Sequence, residues 1–139
     1  MSSDFTSLVH MLRHRAALYP ERTAFVFLTG DDLQESRLTY AQLDQEARAI
    51  AVALAKYNVS AQPVLLLEPS GLRFMAALFG CLYAGAIVVP SYPPGPREGS
   101  KSASRFLRVV RDARPVVVIG SGKFLETARS MVAAELPCI

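Results

Sequence analysis

Apolar residues recur at helical spacing near the start of the chain: Phe5, Leu8, Val9, Leu12, Ala16 and Tyr19 share one face from Asp4 onward, and Pro20 stops the pattern. Thr23 to Thr29 then reads as a strand, Gly30-Asp31-Asp32 as a turn and Glu35 to Leu38 as the returning strand of a hairpin. Thr39 offers an N-cap with Gln42 three residues on. Behind it Leu43, Ala47, Ile50, Leu54 and Tyr57 form an apolar stripe opposite Asp44, Glu46 and Arg48. Val64 to Leu67 is a short, wholly apolar strand. Ser70-Gly71 opens a helix to about Ala84 with Gly85 as its stop, and Ala86 to Val89 is the next strand.

A strand, a helix and a second apolar strand in so short a span make a βαβ unit with parallel strands and a right-handed crossover. Both faces of such a sheet need covering. After a Pro-, Gly- and Ser-rich loop, Ser91 to Ser100, the positions Ala103, Phe106, Leu107, Val110 and Ala113 mark another helix. Pro115 to Ile119 repeats the strand signal, a last helix runs from Lys123 to about Ala134, and Pro137-Cys138-Ile139 opens a further strand. The fold class is therefore α/β: a largely parallel sheet with flanking helices, preceded by a helix and a β-hairpin. No repeat, low-complexity tract or long linker divides it, and the alternation stops in mid-pattern. The helix from Gly71 to Ala84 is apolar nearly all round, with Arg73 its lone charge, so part of it is expected to stay exposed and to favour self-association.

Composition narrows this little further. With 51% hydrophobic and 19% charged residues over 139 positions, the chain has the makeup of one folded domain. The net charge of +3 is too mild to indicate nucleic acid. The uncharged stretch from Phe74 to Tyr92 invites a transmembrane reading, but Gly80, Gly85, Pro90 and the change to Ile87-Val88-Val89 fit a buried helix followed by a strand. No transmembrane segment is expected, Met1 to Asp4 carries no signal-like charge, and the expected compartment is the cytoplasm. Cys81 and Cys138 make neither a metal spacing nor a disulfide framework.

Four features carry candidate chemistry. Val118-Ile119-Gly120-Ser121-Gly122-Lys123 suggests a phosphate loop, but Val117 and Phe124 stand where a Walker A loop needs Gly and Ser or Thr, and Leu125 where a dinucleotide fingerprint needs Gly. His10 and His14 share a helix face without a third ligand following, so no metal site is expected. Arg97, Lys101, Arg105, Arg108, Arg111 and Arg114 oppose only Glu98 and Asp112, a local balance of +4 in a chain of +3. The cluster reads as the solvated face of an amphipathic helix or as a surface that attracts an acidic partner or a phosphate, with Arg105 and Arg108 at its centre. Tyr92 follows a strand at the sheet edge where open α/β sheets place ligands, and is the one substrate-binding candidate; the competing reading packs it beneath the prolines.

The run Pro63-Val64-Leu65-Leu66-Leu67-Glu68-Pro69, then Gly71-Leu72, Phe79-Gly80-Cys81-Leu82-Tyr83-Ala84-Gly85-Ala86 and Val89-Pro90-Ser91-Tyr92-Pro93-Pro94 resembles the opening of fatty acyl-AMP ligases. Tyr19-Pro20-Glu21-Arg22-Thr23-Ala24, Leu38-Thr39-Tyr40-Ala41-Gln42-Leu43 and Asp112-Ala113-Arg114-Pro115 fit the same order, and the Tyr-Pro-Pro ending favours this branch of the adenylate-forming superfamily. Ala61-Gln62 departs from the Gly-Asp or Gly-Glu often found there. The resemblance implies an enzyme that uses ATP and magnesium to make acyl-AMP and passes the acyl group to the phosphopantetheine thiol of an acyl carrier protein. It implies too that residues 1–139 are a partial N-terminal AMP-binding domain that stops before the phosphate-loop motif. Such a piece has no catalytic residue, binds no cofactor by itself, and has the remainder of its own enzyme as a partner. An acyl-CoA ligase of the same superfamily, a flavodoxin-like binding module and a membrane-associated protein are the competing readings.

Overall fold

The computed structural model describes residues 4–94, 100–132 and 136–139. Its first helix, α1 (Leu8–Leu18), begins where the Ser7 side chain accepts a hydrogen bond from the His10 backbone N–H at 3.0 Å. Phe5 therefore precedes the helix rather than forming its first apolar position. The hairpin follows as β1 (Thr23–Thr29) and β2 (Gln34–Thr39), antiparallel with Phe25 opposite Leu38. Helix α2 (Tyr40–Ala55) opens on the expected capping box: the Thr39 hydroxyl accepts from the Gln42 N–H at 3.2 Å while the Gln42 side chain accepts from the Thr39 N–H at 2.9 Å.

Beyond it lie β3 (Pro63–Leu67), α3 (Leu72–Tyr83), β4 (Ile87–Pro90), α4 (Lys101–Ala113), β5 (Val117–Gly120) and α5 (Gly122–Met131). The strands pair in parallel in the order β4-β3-β5, as the βαβ pattern predicts. The last apolar residues do start a further pairing, a parallel bridge from Cys138 to Val118. The expected end of the last helix near Ala134 lies outside the described residues.

Alternation along β3 organises the layers, because successive side chains of a strand point to opposite faces. Val64 and Leu66 join Leu54, Ala77, Cys81, Val117 and Ile119 on the face covered by α2 and α3. Leu65 and Leu67 join Phe106, Val118 and Ala128 on the face covered by α4 and α5. Val64, Leu65, Leu66 and Leu67 are all fully buried. At about 1.5 to 3 kcal/mol for each large apolar side chain, this strand is the chief anchor of the sheet. A third cluster, Leu12, Leu38, Leu43, Ala47, Ala76 and Phe79, packs α1 and the hairpin onto the far side of α2 and α3.

That third cluster corrects one expectation. No large apolar side chain of α3 is among the exposed ones; Leu72, Phe74, Met75, Leu78, Leu82 and Tyr83 are all at least partly covered and Phe79 is buried. The sheet shields one side, and α2, α1 and the hairpin shield the other. The seam between α2 and α3 is close enough that Gly80 lies directly against Ile50 and the Ala47 carbonyl. It is tied at one end by the Tyr83 hydroxyl, which donates to Asp44, itself paired with Arg48 at 2.7 Å. Burial alone would raise the Asp44 carboxyl, but the hydrogen bonds from Arg48 and Tyr83 outweigh it and hold it below the usual range.

Candidate functional site

The carboxyl ends of β3, β4 and β5 lie together at one edge of the sheet, where open parallel sheets gather their ligands. Glu68 follows β3 directly and is buried, with 7% of its surface exposed. Ser121, the first residue after β5, donates its hydroxyl to Glu68 Oε2 at 2.8 Å. Arg73, in the first turn of α3, brings a guanidinium nitrogen to 3.9 Å from Oε1 while its own side chain stays largely in solvent. Two concavities meet at this carboxylate. One, of about 520 Å³, runs between α2, α3 and the end of β5, with Ile50, Ala53, Ala76, Ala77 and Ile139 among its walls. The other, of about 240 Å³, lies between Ser70, Phe74 and the Pro90 to Pro93 segment.

The sequence marked Tyr92, Arg105 and Arg108 as candidates, and the fold treats them differently. Tyr92 is 85% exposed, so it does not pack beneath the prolines; the Ser91 N–H, bonded to the Leu66 carbonyl at 3.0 Å, instead holds the segment at the sheet edge. Tyr92 and Arg105 come together around a hollow of about 180 Å³ with Ser102, Phe106 and Val109. Arg108, one turn further along α4, faces a separate recess with Arg111, Asp112 and Arg114. Helix α4 sorts mostly as its periodicity predicts, with Ala103 and Phe106 buried and Lys101, Arg105, Arg108 and Arg111 exposed, but Leu107, expected on the apolar face, is exposed. Arg97 and Glu98, counted in the basic stretch, lie outside the described residues. Among the described residues, no ion pair engages the cations of α4.

Glu68 was not nominated from the sequence, where it stood alone. Its partner Ser121 is 53 positions away and only the β3-β5 pairing brings it near. The available signal was a carboxylate ending an otherwise apolar strand.

The remaining motifs take ordinary places. The turn from Gly120 to Lys123 does not suit a phosphate, because Ser121 is committed to a buried carboxylate that would repel one. His10 and His14 both pack edge-on against the Phe5 ring, with centroids 5.7 and 5.4 Å away. Cys81 is fully buried, and that burial pushes its thiol up to about 11, which removes it from nucleophilic chemistry near neutrality. No helix among the described residues is long and apolar enough to cross a membrane. Among the described residues, no group of three or more His, Cys, Asp or Glu side chains is placed to hold a metal ion.

Comparison with known proteins agrees with this architecture. Residues 12–137 match the family model described as AMP-binding enzyme. The chain is 39% identical over 116 residues to the medium-chain-fatty-acid acyl-carrier-protein ligase JamA of Moorena producens, an alignment covering 84% of this chain and 20% of that enzyme. The crystal structure of a fatty acid AMP ligase from Legionella pneumophila superposes with a TM-score of 0.85 at 36% identity, over 98% of this chain and 23% of that one. A fatty acyl-adenylate ligase from L. pneumophila, solved with acyl adenylate and pyrophosphate, superposes at 0.83 with 35% identity over 98% of this chain and 23% of that one. The chain thus spans about a fifth of the length of the relatives it matches. Over nearly all of its own length, this chain belongs to the AMP-binding enzyme family and is similar within it to the fatty acyl-AMP ligases.

Proposed function

We propose that the chain is the N-terminal part of a fatty-acid-adenylating enzyme, supplying scaffold and docking surface rather than reacting groups. The observation that carries this reading is the joint likeness, in sequence and in fold, to ligases acting on fatty acids. In the reaction such an enzyme performs, the fatty acid carboxylate attacks the α-phosphorus of magnesium-bound ATP and pyrophosphate leaves. A thiol then attacks the acyl carbon of acyl-AMP and releases AMP. We assign that thiol to the phosphopantetheine arm of an acyl carrier protein, in keeping with what the JamA name states of that relative. The exposed Arg105 and Arg108 form the docking face for the acidic carrier, and Tyr92 borders the substrate side at the sheet edge. By itself the chain binds neither ATP nor magnesium and forms no acyl-AMP, and its working compartment is the cytoplasm.

The acceptor is tested by supplying the enzyme that contains this chain with ATP, magnesium, a labelled fatty acid and either holo-carrier protein or coenzyme A. Label should pass to the carrier. Efficient thioester formation on coenzyme A with none on the carrier would assign the enzyme to the acyl-CoA ligases instead.

A further inference from the structure

Among the described residues, Tyr92 is the most exposed large apolar or aromatic side chain, at 85%. Its backbone is nonetheless held. Pro90 and Pro93 stand on either side, and the Ser91 N–H is bonded to the Leu66 carbonyl at 3.0 Å. A ring on so stiff a segment has little freedom left to lose on association, since tyrosine has only two side-chain torsions to fix. Tyr92 and Arg105 share the lining of a hollow of about 180 Å³ with the buried Phe106 and the half-buried Val109. Among the described residues, no ion pair engages Arg105. The hollow is smaller than the roughly 300 Å³ at which small-molecule pockets begin, so it suits one side chain of a partner rather than a free metabolite. A guanidinium and a phenol hydroxyl are both donors that a carboxylate accepts, and the guanidinium favours an anion over a neutral group. Tyrosine and arginine about a small pocket are also the side chains on which interface affinity concentrates. Arg108 is placed differently: it faces a separate recess with Arg111, Asp112 and Arg114.

We propose that Tyr92 and Arg105 are the anchor of the docking face and receive one Asp or Glu side chain of the acyl carrier protein, while Arg108 supplies only long-range attraction. The inference rests on the carrier being the acceptor, as proposed above. In it the carboxylate accepts from the Arg105 guanidinium and the Tyr92 hydroxyl, and its methylene stem lies against Phe106 and Val109. Tyr92 is then a residue of partner recognition as well as a border of the substrate side.

Binding of a fluorescently labelled holo-carrier protein to the enzyme that contains this chain, followed by anisotropy at low and at high salt, tests the anchor. Tyr92→Ala and Arg105→Ala alter exposed side chains, so the thermal midpoints of both variants should match the parent's. Each should weaken the carrier at least about tenfold, the scale of an interface hot spot. The double variant should lose less than the product of the two, because both residues hold one group. Arg108→Ala should weaken binding by less than about threefold at low salt and not at all at high salt, as a screened rim charge does, whereas the loss from Tyr92→Ala should persist. Binding unchanged by Tyr92→Ala, or equal losses for Arg105→Ala and Arg108→Ala, would overturn the anchor and leave the carrier as acceptor. An enzyme that binds no carrier and acylates coenzyme A would overturn the acceptor and the anchor together.

Discussion

Gly80 shows how a single position fixes the spacing of two helices. A Cβ built there would stand 2.4 Å from Ile50 Cγ2 and 2.6 Å from Ile50 Cβ, in a seam that the Ala47 carbonyl also closes. Gly80→Ala should therefore cost about 1 to 3 kcal/mol despite its better helix propensity. Combining it with Ile50→Ala should cost less than the two changes added, because the second opens the space the first needs. Ala61 presents the opposite case. Its φ of 56° lies in the left-handed region, at the turn where the resemblance calls for glycine. Ala61→Gly should stabilise the chain by about 0.5 to 1 kcal/mol, the left-handed penalty less the extra chain entropy of glycine. Chemical denaturation of each variant checks both signs.

Cys81 adds a pH dependence. Burial raises its thiol from the ordinary 9.0 to about 11. A group raised in the folded state contributes fully below its unfolded value and loses that contribution as pH climbs. The chain should thus lose roughly 2 to 3 kcal/mol as pH rises from about 9 to 11. Tyr83, raised above its ordinary 10.0 by burial and by its hydrogen bond to Asp44, steepens the loss above that value. Cys81→Ala should start less stable, because it empties part of a packed core, yet show a flatter thermal midpoint between pH 9 and 10. Parallel curves for the two proteins would contradict this assignment.

At the scale of elements, helices and strands were largely legible because each rests on local periodicity. The Thr39 to Gln42 capping box was visible four letters at a time, and the apolar run from Val64 to Leu67 could hardly be other than a buried strand. Thr39→Ala should cost about 1 kcal/mol, as loss of a side-chain cap usually does. Boundaries were less legible, since the apolar spacing starts the first helix near Asp4 whereas it begins at Leu8 behind the Ser7 cap. Helix α4 carries the functional expectation. If its basic face docks a carrier protein, Arg105→Glu with Arg108→Glu in the enzyme that contains this chain should slow carrier acylation and leave adenylation unchanged. Added salt should shrink the difference, as it does for exposed charges separated by water. Equal loss of both half-reactions would show instead that the helix is needed for the fold.

What the sequence could not show belongs to the whole molecule, where distant segments meet. The coverage of α3 by α1 and the hairpin depends on contacts such as those in the Leu12, Leu38, Phe79 cluster, which no periodicity within α3 reveals. The partnership of Glu68 and Ser121 likewise exists only because β5 pairs with β3. Tyr92 could be placed after its strand, but whether it faced inward or outward depended on how the sheet edge was covered. The proposed function implies a division of labour, in which this part would frame a sheet edge and the phosphate-handling groups would come from elsewhere. Fatty-acid-dependent exchange of labelled pyrophosphate into ATP tests this most directly, measured on the enzyme that contains this chain and on the 139 residues alone. The enzyme should show exchange that depends on added fatty acid, and the isolated chain should show none. Exchange by the isolated chain, or an intact enzyme that exchanges nothing with any fatty acid, would contradict it.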